Sequence, residues 1–243
     1  MRPTTILFGQ TDRGRDLAPA LAFRLGTAAN LDCIELSIDP ASKRLLMTRP
    51  VYGGNALATL VTNTDPQIAA LRARVCPPAV PDDSRKGEVV NFASGLDGAA
   101  VKTKVLETVV RQVEGIKLED AEVVVSGGRG MGGPEGFKQL EEIARLLGAA
   151  VGASRPPCDS GWVSEVLQVG ITGKIIAPRL YVAVGISGSS QHLSGCSGAK
   201  NIVVINKDPE ANFFRVASYG LVGDWKKVLP PLTTKIKELV GQS

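Results

Sequence analysis

The sequence predicts an α/β protein whose larger part is a doubly wound parallel sheet, preceded by a partial α/β domain. Two observations support this class. From residue 120 onward, short apolar runs alternate with helical patterns, as in sheets whose strands are joined by helices. Polar or glycine-rich residues adjoin each of these runs, as they do where strands of such sheets turn into loops. We place the two domains at residues 1–118 and 119–243.

The first domain begins with a strand and a helix. Residues 4–8 form an apolar run, and a glycine turn then leads into a helical pattern that continues to Leu25. Residues 31–75 alternate apolar and polar side chains, with turn signals at Asp39–Pro40 and Gly53–Gly54. This alternation predicts several short strands.

The composition changes after these strands. Residues 76–84 are rich in proline and aspartate, which is typical of a linker or an exposed loop. Two β-rich stretches follow, at Glu88–Phe92 and Val101–Val110. The second also fits helical spacing, so strand and helix both stay open there.

The second domain has a more regular pattern. Glu122–Ser126 predicts a buried strand, Glu135–Leu147 an amphipathic helix, and Ala149–Ala153 a further strand. A final helix is predicted from about Trp225 to Leu239, interrupted near Pro230–Pro231. The remaining short apolar runs are Ile175–Ile176, Leu180–Val184 and Ile202–Ile205.

Bulk properties exclude several classes of protein. The net charge of +4 is mild and dispersed, which argues against nucleic-acid binding. No apolar run approaches the length of about 18 residues that a membrane helix needs, and the first residues lack the pattern of a signal peptide. The four cysteines are scattered without a CxxC pair, so we expect no metal site and a reducing, cytosol-like compartment.

Five polar or glycine-rich segments adjoin the strands of the second domain. In a doubly wound sheet such segments lie together at the carboxyl edge, where ligands bind. Glycines allow backbone N–H groups to approach an anion, and hydroxyls and arginines add donors. The ligand predicted is extended and anionic, such as a dinucleotide. The segments are residues 126–133, 154–157, 170–174, 185–192 and 206–209.

The type of dinucleotide is not fixed by the glycines alone. Gly128, Gly130 and Gly133 match a nicotinamide-type fingerprint, but the expected acidic residue after the second strand is replaced by Ser154 and Arg155. An NAD-dependent oxidoreductase or transferase therefore stays open as an alternative. A cofactor-free subunit that only scaffolds a complex is a further alternative.

The segments taken together resemble the α subunit of electron transfer flavoprotein. The resemblance rests on SGGRG, GASR, TGKIIAP, VGISG with the following QH, INKDPEA and YGLVGDW, and earlier on GRDLAP and YGGNA. It covers nearly the whole chain, but the beginning of the family's N-terminal domain has no counterpart here. We accordingly expect either that residues 1 to about 110 depend on a partner for order, or that the sequence is a shortened form of a longer chain. A second departure is Ile171, where the family usually has glutamine.

The resemblance implies that the chain binds FAD. His192, the only histidine, matches a residue beside the flavin's C2 carbonyl oxygen, Arg155 a cation set against the ring, and Thr172 a hydroxyl near N5. From the residues alone, His192 could instead be a structural histidine, Arg155 a surface ion-pair partner, and Asn206 or Asp224 a helix cap. The complete predicted set is Arg129, Ser154, Arg155, Val169, Gly170, Ile171, Thr172, Ser187, Gly188, Ser189, Ser190, Gln191, His192, Asn206 and Asp224.

The resemblance also implies a carrier of electrons rather than an enzyme with an organic substrate, and both a simple carrier and a member of an electron-bifurcating complex stay open. The implied partner is the β subunit of electron transfer flavoprotein. The implied electron donors are flavin dehydrogenases, such as those that act on acyl-CoA, and the acceptor is a quinone oxidoreductase or a similar protein. The implied location is the cytoplasm, or the mitochondrial matrix in a eukaryote, without insertion into a membrane.

Overall fold

Among the residues that the structure describes, the N-terminal part has two small sheets and one α-helix. The computed structural model describes residues 3–54, 56–73, 75–76, 79–85, 87–93, 95, 103–108 and 115–241. The parallel sheet has the order β1-β6-β2, and the antiparallel sheet has the order β3-β4-β5. The elements are β1 (Thr5–Gly9), α1 (Asp12–Leu25), β2 (Ala29–Cys33), β3 (Glu35–Ile38), β4 (Leu45–Val51), β5 (Ala56–Leu60) and β6 (Gln67–Leu71).

The C-terminal part is a five-stranded sheet in which every neighbouring pair is parallel. Its order is β11-β10-β9-β7-β8, so the chain runs to one side after β7 and to the other after β9. This doubly wound order confirms the predicted fold class. The elements are β7 (Val123–Gly127), α2 (Pro134–Leu147), β8 (Ala150–Ala153), α3 (Arg155–Asp159), β9 (Leu180–Val184), α4 (Ser190–Cys196), β10 (Asn201–Asn206), β11 (Tyr219–Val222) and α5 (Trp225–Leu239).

Alternating residues of this sheet pack into two apolar layers. Val125 contributes to the layer that contains Phe137 of α2 and Leu229 of α5. Val124, one residue earlier, contributes to the opposite layer with Tyr181 and Phe213. The sheet is thus covered on both faces, as an all-parallel sheet requires.

The buried clusters of the two parts share no residue. The N-terminal clusters lie within residues 6–71, whereas the C-terminal clusters begin at Leu118. The boundary at residues 118 and 119 stays a prediction, and Leu118 itself packs in the core of the C-terminal part.

Three sequence predictions are wrong in detail. Glu88–Phe92 is not a strand: Val89, Val90 and Phe92 are at least 75% exposed, and the segment pairs with no described strand. Ile175–Ile176 also lies outside the strands, in the stretch that leads to β9. Of Val101–Val110, residues 103–108 have no regular structure, and the other four lie outside the described residues.

The C-terminal helix is continuous, contrary to the predicted interruption. Pro230 and Pro231 lie within α5 and both are exposed. The carbonyl groups that the prolines cannot pair with therefore lie on the solvent side of the helix, where water can satisfy them. The helix is retained because Leu229 on its inner face is buried against the sheet.

Candidate cofactor-binding site

A large cavity lies where the strand order reverses, at the carboxyl ends of β7 and β9. Its volume is about 730 Å³, within the range of small-molecule sites. A second cavity of about 220 Å³ lies beside it. Gly130, Gly185, Asn206 and Lys207 line both cavities, so the two form one elongated site.

The floor between the two cavities is formed by glycines in close contact. The N–H of Gly130 donates to the carbonyl oxygen of Gly185 at 3.0 Å. A Cβ on Gly128 would lie 2.2 Å from the Gly185 oxygen, and Gly185 itself has φ +62°. Only glycines allow these two loops to meet, and their contact leaves room for a ligand above them.

The structure brings the predicted site residues together. All of them except Gly188, Ser190 and Asp224 line the larger cavity. Asp224 lines the smaller one. Gly188 underlies the loop after β9, since a Cβ there would lie 2.4 Å from the backbone nitrogen of Phe213. Ser190 begins α4.

His192 is a buried member of this lining. It is 4% exposed, and its Nε2 is hydrogen-bonded to the phenolic oxygen of Tyr181 at 2.8 Å. Its Nδ1 is also buried and has no well-formed hydrogen bond among the described residues. Burial lowers the pKa of His192 to about 4, a shift that a contact with the Val169 backbone only partly opposes. The imidazole is therefore neutral near pH 7.

Thr172 lies in the turn that forms one wall. Its hydroxyl accepts a hydrogen bond from Nε2 of Gln168 at 2.8 Å. The N–H of Ile171 donates to the carbonyl oxygen of Gln191 at 3.0 Å, which ties this turn to the start of α4, the helix that carries His192. Gln168 also lines the cavity, and nothing in the sequence pattern distinguished it as a site residue.

Arg155 borders the cavity and is also an ion-pair partner. Its Nε lies 3.1 Å from the Asp159 carboxylate one helical turn away, with the arginine side chain 64% exposed. Both the cofactor role and the surface ion pair considered from sequence are thus compatible with its position. Arg129 and Lys207 add further positive charge to the cavity lining.

Asn206 and Asp224 shape the second cavity. Asn206 donates to the carbonyl oxygen of Ile186 at 2.9 Å and accepts from the N–H of Asp208 at 3.1 Å, so it holds two loops together and does not cap a helix. Asp224 does cap α5, because its carboxylate accepts from the N–H of Lys226 at 3.0 Å. Nε1 of Trp225, a residue that the sequence analysis did not select, donates to the Gly130 oxygen at 3.0 Å.

The two cysteines beside the site are packing residues. Cys158 and Cys196 are both buried. Burial raises the pKa of Cys158 to about 11 and that of Cys196 to about 12. Neither thiol ionises near neutral pH, so neither is a reactive nucleophile.

Two other features are absent from the described part of the chain. No group of three or more histidine, cysteine, aspartate or glutamate residues there is placed to hold a metal ion. No helix there is long and apolar enough to span a bilayer.

A doubly wound sheet with a glycine-floored, elongated cavity at its switch point defines a protein of the nucleotide-cofactor-binding α/β class. Comparison with known protein families identifies the family within this class. Residues 1–96 match the electron transfer flavoprotein domain, and residues 117–197 match the electron transfer flavoprotein FAD-binding domain. The chain belongs to the electron transfer flavoprotein α-subunit family, which includes the FixB proteins.

Individual relatives match almost the whole chain. The electron transfer flavoprotein subunit alpha of Thermoanaerobacterium thermosaccharolyticum is 46% identical over 98% of this chain and 72% of its own length. The subunit of the same name from Bacillus subtilis is 43% identical over 98% of this chain and 72% of its own length. Protein FixB of Azotobacter vinelandii is 41% identical over 99% of this chain and 68% of its own length. The resemblance stated from the sequence motifs is confirmed.

Proposed function

We propose that this chain binds FAD across the two cavities, with the flavin in the larger one and the adenosine diphosphate portion toward α5. The observation that carries the proposal is the continuous, glycine-floored site that runs from His192 to the N-terminus of α5. Its chemistry fits the two ends of FAD. The flavin end offers a buried neutral imidazole, a hydroxyl and a cation, and the other end offers backbone N–H groups and Lys226.

FAD, when bound, would supply the reversible uptake of electrons, and the protein would hold it and tune its potential. His192 would contribute a neutral hydrogen-bond donor beside the pyrimidine edge. Arg155 would place positive charge near the ring and so favour reduced forms that carry negative charge. Thr172, held by Gln168, would present its own hydroxyl hydrogen to the ring.

The proposed partner is the β subunit of electron transfer flavoprotein. The N-terminal part exposes large apolar side chains, among them Leu7, Leu17 and Phe23, with Phe23 87% exposed. These exposed apolar side chains are surface that the β subunit could cover. The proposed donors are flavin dehydrogenases such as those acting on acyl-CoA, and the proposed acceptor is a quinone oxidoreductase or a similar protein. The proposed location is the cytoplasm.

The competing function is that of an NAD-dependent oxidoreductase or transferase. The glycine loop after β7 favours it, since Gly128 and Gly130 contact the backbone of the Gly185 loop in the manner of a nucleotide-binding turn. The end of β8 disfavours it, because Ser154 and Arg155 occupy the place where an acidic residue would bind the ribose of NAD.

Anaerobic reduction of the purified complex with the β subunit tests this function. The preparation should be yellow, and its flavin absorbance should bleach when catalytic acyl-CoA dehydrogenase and an acyl-CoA substrate are added. A colourless preparation that binds NADH would favour the competing function. A yellow complex that no flavin dehydrogenase reduces would leave FAD binding in place and overturn the proposed donors.

A further inference from the structure

Tyr181 and His192 form a buried pair behind the cavity. Tyr181 is 0% exposed and its phenolic oxygen lies 2.8 Å from Nε2 of His192. The imidazole also packs edge-on against the ring of Phe213, with the centroids 5.7 Å apart. The histidine ring is therefore fixed in orientation by two aromatic neighbours, while it still borders the cavity.

Only one hydrogen can lie between the two groups. Burial lowers the pKa of His192 to about 4 and raises that of Tyr181 well above its usual value, so both groups are neutral at pH 7. Either the phenol donates to Nε2 and the ring hydrogen is on Nδ1, or Nε2 donates to the phenol and Nδ1 is bare. The choice decides whether Nδ1 of His192 is a donor or an acceptor.

Two neighbours favour the first arrangement. Nε2 is occupied by Tyr181, so the Val169 backbone, which raises the pKa of the imidazole as an acceptor beside a ring N–H does, lies beside Nδ1. The Ser126 hydroxyl is buried without a well-formed hydrogen bond among the described residues, and it lowers the pKa of Tyr181, as a donor beside the phenolic oxygen does. A phenol with a donor on that side directs its own hydrogen toward Nε2.

We propose that Tyr181 is a positioning residue that donates to Nε2 of His192 and thereby keeps the ring hydrogen on Nδ1, which can donate a hydrogen bond to a carbonyl oxygen of the bound cofactor. Tyr181 touches no ligand itself and acts only through His192. The inference rests on the proposed FAD binding for its consequence, but the position of the hydrogen is a property of the ligand-free chain. Nδ1 is the nitrogen that no described residue pairs with in good geometry.

The single histidine makes a direct measurement possible. We would label the full chain with ¹⁵N-histidine and record the two ring nitrogen shifts by long-range ¹H–¹⁵N NMR without ligand. Above pH of about 5, the ring should be neutral, with a protonated Nδ1 and a bare Nε2. A hydrogen on Nε2 would overturn the proposal, and because this is the unmodified chain, that result does not depend on any variant folding.

The variant Tyr181→Phe then tests whether Tyr181 determines which ring nitrogen of His192 carries the hydrogen. The variant keeps the packed ring but loses the donor, so part of the ring hydrogen should move to Nε2 and both nitrogen shifts should change. Tyr219→Phe is the matched control, since that tyrosine is 71% exposed on β11, and it should leave the shifts unchanged. Unchanged shifts in Tyr181→Phe, with the fold verified by circular dichroism, would overturn the role of Tyr181.

Binding of FAD provides the second readout. In the complex with the β subunit, Tyr181→Phe should lower the midpoint potential of the flavin by the equivalent of about a 3–10-fold loss of preference for the reduced state, the size of one hydrogen bond to a charged group. An unchanged potential would restrict Tyr181 to a structural role. A wild-type complex that binds no FAD at all would refute the proposed function. The tautomer measured on the ligand-free chain would not be affected by that result.

Discussion

Ser194 of α4 donates a hydrogen bond to the backbone carbonyl oxygen of Gly53 at 2.5 Å, across a separation of 141 residues. Gly53 belongs to the turn that follows β4 in the N-terminal part, whereas α4 carries His192. The same turn packs closely, because a Cβ on Gly54 would lie 3.0 Å from the Ser194 hydroxyl oxygen. This contact joins the N-terminal sheets to the helix that borders the cofactor site.

Ser194→Ala should weaken that junction. The hydroxyl is buried and its loss removes one hydrogen bond, so we expect the free energy of unfolding to fall by about 1 kcal/mol. Hydrogen exchange of residues 52–54 should become faster, measured by mass spectrometry. Ser197→Ala is the control, because that residue directly follows α4, is exposed, and donates its hydroxyl hydrogen to the Ser194 carbonyl. Equal exchange in both variants would show that the junction does not depend on Ser194.

Buried His192 should make the protein sensitive to mild acid. Its pKa is about 4 in the folded chain and about 6.5 in the unfolded chain, so the unfolded state binds a proton first as pH falls. The stabilisation is complete above pH of about 6.5 and is lost progressively as the pH falls to about 4, by up to a few kcal/mol. Urea unfolding at several pH values should show this loss. His192→Gln should lack most of the dependence above about pH 5, and an identical dependence would contradict the assignment.

Arg155 should raise the potential of bound FAD, but modestly. A guanidinium near the ring favours the reduced flavin, and because the side chain is 64% exposed and paired with Asp159, we expect about 1 kcal/mol. Arg155→Ala should therefore lower a one-electron potential by about 40 mV, and Asp159→Asn should raise it. Potentiometric titration followed by visible absorbance measures both.

A matched control distinguishes the effect of Arg155 at the site from the effect of removing any positive charge from the protein. Lys138 forms a similar exposed pair with Glu135 on α2, outside the lining of either cavity. Lys138→Ala should leave the potential unchanged. Arg155→Lys should recover part of the loss, since lysine keeps the charge without the planar group. If Arg155→Ala and Lys138→Ala behaved alike, Arg155 would be only an ion-pair residue.

The strands that form the centre of the sheet could be predicted because they are buried on both faces. Val123–Val125 of β7 and Leu180–Val184 are apolar runs of this kind. The edge strand Tyr219–Val222 was recognised only as part of a motif, since all four residues are exposed. Glu88–Phe92 has the composition of a strand but no described partner, and pairing is not visible in a local pattern.

The site was predictable to the extent that its residues follow strands in glycine-rich motifs. Gly185 and Lys207 belong to those motifs, although they were not selected individually. Gln168 and Tyr181 had no such signal. Their roles arise from contacts with Thr172 and His192 that depend on how the loops pack, so they became visible only in the structure.

Ile171 stands where the resemblance implies a glutamine, and that expectation can be tested. Its side chain is 51% exposed and borders the cavity, while its N–H remains engaged with Gln191. Ile171→Gln should therefore leave stability nearly unchanged and add a donor at the site, which would tighten FAD binding about 2–10-fold. Fluorescence titration of the deflavinated complex measures the affinity. Ile171→Met, without a donor, is the control, and equal affinities of the two variants would refute the effect.

The identity of the cofactor released from the complex with the β subunit tests the central proposal most directly. The site can be disabled at Gly188, where φ is +80° and a Cβ would meet the Phe213 backbone at 2.4 Å. Gly26→Ala is the control, since that glycine also has positive φ, +67°, but open space around it. After denaturation and chromatography, the wild type and Gly26→Ala should release FAD, at roughly one equivalent for each copy of this chain, and Gly188→Val should release little. Release of FMN or of a nicotinamide dinucleotide in place of FAD would contradict the proposal.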